Sequence, residues 1–140
     1  MKKIVFCMLT VILFIGCSSQ NDDAISTGRE LIGQWDLVEI LNGPRLPNKE
    51  GNVTRYPSGS VIVEFMTNGM CVLLHHTGEQ EVYDYTFPKD LENYHFEWPV
   101  VLLDDVPFGY TIEGDVLKML YGGLATTDHI PATFVLKRLN

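Results

Sequence analysis

The sequence predicts an all-β fold, an antiparallel barrel or sandwich of about eight short strands. Three observations carry that expectation. Short runs rich in Val, Ile, Tyr and Phe recur from residue 31 onward, and several alternate apolar with polar residues. Turn-forming pairs such as Asn68-Gly69 and Gly114-Asp115 separate them. No amphipathic stretch of about ten residues, the length an ordinary helix needs, interrupts the series.

The elements follow in order. Residues 31–42 (LIGQWDLVEILN) place Trp35, Leu37 and Glu39 on one face, with Val38 and Ile40 on the other. Gly43-Pro44 ends that strand and opens a loop rich in Pro, Asn and Gly that reaches Gly59. Residues 61–66 (VIVEFM) are β-branched and aromatic, and Thr67-Asn68-Gly69 turns the chain into a returning strand, 70–76. Thr77-Gly78-Glu79 makes the next turn. In 80–87 (QEVYDYTF), Tyr83, Tyr85 and Phe87 share one face. Residues 88–93 read as a loop, 94–98 and 100–103 as strands bracketed by Pro99 and Pro107, and 108–113 with 116–121 as a hairpin. Residues 122–131 form a loop before a last strand, 132–138 (ATFVLKR).

The 140 residues suit a single domain, and 46% apolar with 20% charged residues excludes wholesale disorder. Much of the apolar excess sits in residues 4–15 (IVFCMLTVILFI), after Lys2 and Lys3 and before Gly16-Cys17. Twelve residues are too few to cross a bilayer as a helix, which takes about 20, so this is read as a signal peptide. Cleavage before Cys17 removes two lysines and no acid, taking the net charge from −8 to −10. So acidic a chain disfavours nucleic acid and offers no basic patch for anionic lipid. The three cysteines, Cys7, Cys17 and Cys71, cannot build a disulfide framework once Cys7 has left with the signal, and no zinc-ligand spacing is present.

Phe14-Ile15-Gly16-Cys17 resembles the lipobox of bacterial lipoproteins, with Phe14 where that motif usually has Leu. The resemblance implies a signal peptide over 1–16 and lipidation at Cys17, with diacylglycerol on the sulfur and an acyl chain on the amine. At roughly 0.8 kcal/mol per buried methylene, two or three such chains anchor a protein almost permanently. Residues 17–29 would form a lipidated flexible tether, and 30–140 the domain. Ser18-Ser19-Gln20-Asn21-Asp22-Asp23 also resembles the acidic export signals of Bacteroidetes surface lipoproteins, although a merely soluble tether has the same composition. The expected location is the outer membrane, at the cell surface or on the periplasmic face.

Gly33-Gln34-Trp35 resembles the G-x-W motif of lipocalins, and Arg138 resembles the basic residue that closes over that tryptophan in the same superfamily. Together with the strand pattern, the likeness is to the lipocalin-like domains of small Bacteroidetes-type lipoproteins. It implies an antiparallel up-and-down barrel of about eight strands, with Gly33, Trp35 and Arg138 as its structural signature. Stacking of a guanidinium on an indole face is the physical basis. The domain is shorter than a lipocalin, has no evident helix between its last strands and lacks the family's middle motif.

Little in the sequence argues for chemistry, and a non-enzyme without cofactor is expected. His75 and His76 are strand neighbours that point to opposite faces, which disfavours a shared metal even if His95 or Glu97 joined one of them. Asp104-Asp105 reads as an exposed acidic loop rather than a calcium site, and Cys71 as a buried thiol. Two function classes follow. In the first, a small apolar ligand enters the barrel or its mouth, about Phe65, Tyr83 and Tyr85. Phe87, Tyr94, Phe96, Trp98 and Tyr110 are further aromatic candidates for the same lining. In the second, the interior is filled and the domain binds an envelope protein, host protein or glycan through an exposed aromatic segment, Tyr94–Trp98.

Overall fold

The computed structural model describes residues 28–43, 52–94, 96–121 and 131–140. A single 3₁₀ turn, Arg29–Leu31, leads into nine antiparallel strands: β1 Gly33–Asn42, β2 Asn52–Arg55, β3 Val61–Phe65, β4 Met70–His75, β5 Gln80–Thr86, β6 Val100–Leu103, β7 Val106–Glu113, β8 Val116–Tyr121 and β9 Ala132–Arg138. Strand β1 and strands β3 to β9 pair in sequence order, and β9 returns to β1, so these eight close an up-and-down barrel of the lipocalin-like kind. Strand β2 lies alongside the end of β1, pairing Glu39↔Arg55 through Asn42↔Asn52. Closure removes most of the free sheet edge through which strands aggregate.

Alternation decides what faces inward. On β3 to β5 the odd-numbered residues point in, and on β7 the even-numbered ones do. One end of the barrel, here the base, is packed solid. Leu31, Trp35, Phe65 and Tyr110 are buried there. Phe65, Tyr85, Phe87 and Tyr110 form a run of edge-on and tilted rings with centroids 5.4, 5.9 and 6.4 Å apart. Gly28 is buried against Phe87, and the 3₁₀ turn of Arg29 to Leu31 caps the same end.

Four sequence expectations are corrected. The loop expected up to Gly59 contains β2, whose residues are all exposed and so carry no burial pattern to read. Where a strand was expected over 94–98, the described residues Tyr94 and 96–98 are turn and irregular structure, with the Tyr94 N–H bonded to Leu91 C=O at 2.9 Å. Pro107, expected to bracket the strand over 100–103 from outside, lies inside β7 opposite Leu102. That position is tolerable because Leu103↔Val106 closes the two-residue turn as a hydrogen-bonded pair and the next pair is not hydrogen-bonded. On β1 the register against β9 slips between Leu37 and Glu39. This bulge turns Ile40 onto the core and takes Glu39 off the face of Trp35 and Leu37.

Candidate functional site

Gly33, Trp35 and Arg138, the residues expected as a structural signature, meet at the base. Arg138 Cζ lies 4.1 Å from the Trp35 ring centroid. Its Nη2 donates to Glu30 C=O at 2.7 Å and its Nη1 to Ile32 C=O at 3.2 Å, while Trp35 Nε1 donates to Leu31 C=O at 2.8 Å. Gly33 has φ +126°, and a Cβ there would stand 3.2 Å from Arg138 Nη1, so the approach of the guanidinium and the backbone both favour glycine. These contacts lock the entering chain onto the barrel floor.

Above the floor the barrel is hollow. A cavity of about 350 Å³ opens toward the other end. Its wall is formed by Val63, Phe65, Cys71, Leu73 and Tyr83 from β3 to β5, and by Leu37, Phe108, Met119, Phe134 and Leu136 across the barrel. Leu103, Asp104 and Val106, around the β6–β7 turn, complete it. Phe65 and Tyr83 therefore line the space expected from the sequence, whereas Tyr85 does not. Tyr85 belongs to the packed floor, its hydroxyl donating to Met66 C=O at 2.6 Å. Phe87 and Tyr110 lie in the floor with it. Tyr94, Phe96 and Trp98 are half-buried and do not line the cavity. Phe96 packs on Gly109, an outward position of β7, close enough that a Cβ on that glycine would stand 2.6 Å from the ring.

The wall is low on one side. Asp104 and Asp105 form a two-residue turn with φ +46° and +66°, the positive values of a primed hairpin turn. The β5–β6 ladder stops there, with Asp104 N–H donating to Asp84 C=O at 2.9 Å and Asp104 Oδ1 accepting from Asp84 N–H at 2.8 Å. Beyond it, Gln80 to Tyr83 pair with β4 alone. Tyr83 thus stands at a gap between β5 and the β6–β7 turn.

A polar rim follows from strand parity. His75, Glu81 and Tyr83 occupy inward positions of adjoining strands. The Tyr83 hydroxyl donates to Glu81 Oε2, and His75 Nε2 lies 3.0 Å from Glu81 Oε1. The hydrogen bond to Glu81 pushes the Tyr83 hydroxyl up to about 12, with partial burial adding to it. Hydrogen bonds from Tyr83 and then His75 lower the Glu81 carboxyl in turn. Cys71, deeper in the wall, is pushed up to about 12 by burial, which makes its thiol a weak nucleophile. His76 is exposed in the β4–β5 turn. Among the described residues no three His, Cys, Asp or Glu side chains converge as metal ligands. Cys17, the expected lipidation site, and His95 lie outside the described residues.

No known family model and no curated protein matches the chain.

The sequence pointed to aromatic residues as the lining, but most of the wall is aliphatic. The missed positions share a face with Phe65 and Tyr83. Val63 precedes Phe65 by two, and Cys71 and Leu73 are the cross-strand partners of Phe65 and Val63. That signal was present in the hairpin register. Asp36 was also missed. It is 4% exposed and accepts from Ser58 Oγ at 2.6 Å and Gly59 N–H at 2.9 Å, which ties the segment before β3 to β1.

Proposed function

We propose that the chain is a lipid-anchored, lipocalin-like binding protein that takes a small, largely apolar ligand into the open half of its barrel. The observation that carries this is the cavity. About 350 Å³ lies at the small end of ligand-pocket volumes, and a wall of Leu, Val, Phe and Met rewards burial of apolar surface at about 25 cal/mol per Å². A protein interior is otherwise close-packed, as this barrel's own base shows, so an unfilled apolar space of this size is unusual without an occupant. Phe65 and Tyr83 remain in the proposed contact set, with Leu73 and Met119 in place of Tyr85.

Native mass spectrometry of the soluble 18–140 chain, purified from cells without detergent, tests the reading. That chain carries every strand and the Gly28–Leu31 cap. The expected result is a retained small molecule, or uptake of the neutral dye N-phenyl-1-naphthylamine with a fluorescence rise. A bare mass together with no dye uptake would remove the proposal.

The anchor belongs to the same proposal and rests on the Gly16-Cys17 motif and the apolar run before it. Only a thiol accepts the diacylglycerol, so Cys17→Ser is expected to move the protein from the detergent phase to the aqueous phase of a Triton X-114 separation. Retention in the detergent phase would sink the lipoprotein reading and leave the cavity argument standing.

A further inference from the structure

We propose, on the basis of the binding reading above, that the ligand is an amphipath whose polar end is an amine cation, received at the gap beside Tyr83 by the carboxylate of Asp104.

The argument is an inventory of what the gap can offer a polar group. Among the described residues Asp104 is the one charged residue in the cavity wall. Its Oδ1 accepts from the Asp84 N–H, and its Oδ2 makes no hydrogen bond among the described residues. The Tyr83 hydroxyl spends its proton on Glu81, which leaves only its oxygen lone pairs to turn toward the cavity. Glu81 is a carboxylate held between Tyr83 and His75, and that contact engages His75 Nε2. Each of the groups nearest the gap is therefore an acceptor or is already committed. Among the described residues no Lys or Arg lines the cavity. The complement to such a set is a donor.

Charge sharpens the choice. Near an apolar wall, opposite charges attract more strongly than in bulk water, and an unpaired charge costs more to desolvate. An ammonium entering beside Asp104 gains a charge-assisted hydrogen bond. A carboxylate entering there meets acceptors on both sides and a chain whose net charge is −8. An alcohol can donate but brings no charge, so it belongs between the two.

The test holds the apolar body constant and changes the head. Dodecylamine, dodecanol and dodecanoate, each below its micellar concentration and at neutral pH, are used to displace N-phenyl-1-naphthylamine from the 18–140 chain. The amine is expected to displace the dye at about tenfold lower concentration than the carboxylate, with the alcohol between. Asp104→Asn should shrink that ratio to about threefold or less, read as a ratio within the variant so that any change in the dye's own affinity cancels. Asparagine suits this control because it tolerates the positive φ of the turn and its Oδ1 can still accept from Asp84 N–H. Glu113→Gln, at the exposed base end, removes the same formal charge far from the cavity and should leave the ratio as it was.

Dodecanoate binding as tightly as dodecylamine would overturn the inference while preserving the binding reading. So would an unchanged ratio in Asp104→Asn, or an equal loss in Glu113→Gln, which would reduce the preference to overall charge. Failure of the dye and of all three probes to bind would remove the binding reading itself.

Discussion

At the base of the barrel Trp35 is fully buried, and Phe65, Tyr85, Phe87 and Tyr110 pack ring against ring in a run. Toward the mouth, Leu37, Val63, Leu73 and Val106 turn inward beside Phe108 and Phe134, and the packed floor gives way to a cavity. Both halves have the same strand number and the same alternation. They differ in the reach of the inward side chains at each level. A barrel of eight strands is just wide enough to be filled by large residues, so exchanging several of the rings for aliphatic side chains leaves room in the middle. The comparison separates two jobs. The base carries stability and fixes how the chain enters, and the mouth trades packing for space.

The largest expected effect tests the base. Trp35→Ala should cost about 3–5 kcal/mol in urea unfolding, because it removes a fully buried indole, its hydrogen bond to Leu31 and the platform under Arg138. A cost under about 1 kcal/mol would mean that the base is not the rigid half.

Next comes a titration in the hollow half. Burial raises the Cys71 thiol from 9.0 to about 12. A raised folded value means stability is intact below pH 9 and is lost as the unfolded chain ionises first, through pH 9 to about 12. At about 1.4 kcal/mol per pH unit of separation, the fall is a few kcal/mol. Tyr83, raised to about 12, falls in the upper part of the same window. Cys71→Ala should flatten the early part of the decline, from pH 9 upward. An unchanged profile would show that the cavity wall is wet at Cys71.

Arg138→Ala, a smaller perturbation of the base, should cost about 0.5–2 kcal/mol through lost stacking and packing on Trp35. Thermal unfolding read by tryptophan fluorescence would measure it, since the same contact sets the environment of the Trp35 ring.

Leu73→Phe should be the gentlest. Overfilling a close-packed core costs about 1–3 kcal/mol. Here the added ring has space to enter, so the expected change in stability is below about 1 kcal/mol, while dye uptake drops at least about tenfold. A large destabilisation with dye binding intact would show that the mouth is as tightly packed as the floor.

Much of this was legible in the residues. Asn68-Gly69 and Gly114-Asp115 announced two hairpins, and each of them is there. The alternation in 80–87 correctly put Tyr83 and Tyr85 on one face. It could not place them at different heights, and that difference makes Tyr83 a wall residue and Tyr85 a floor residue. The bulge near Val38 was illegible because nothing in its side chains marks it; it is set by how β1 pairs with β9 and by the Tyr56 N–H that bonds to Val38 C=O at 2.9 Å. The segment 94–98 misled for a related reason. Aromatic density looks like a strand, but Pro99 and the turn at Leu91–Tyr94 leave it no partner to pair with.

Local chemistry along the chain determined the strands, their turns and the inward or outward parity of most side chains, because these depend on near neighbours and on a period of two. It also supplied the Gly33, Trp35 and Arg138 set as a likeness. Tertiary structure alone decided that Arg138 comes to rest on Trp35, that β9 closes on β1, and that the interior is full at one end and empty at the other. Those outcomes depend on residues distant in the chain meeting at one level of the barrel, and level is set by register across eight strands rather than by any residue's neighbours.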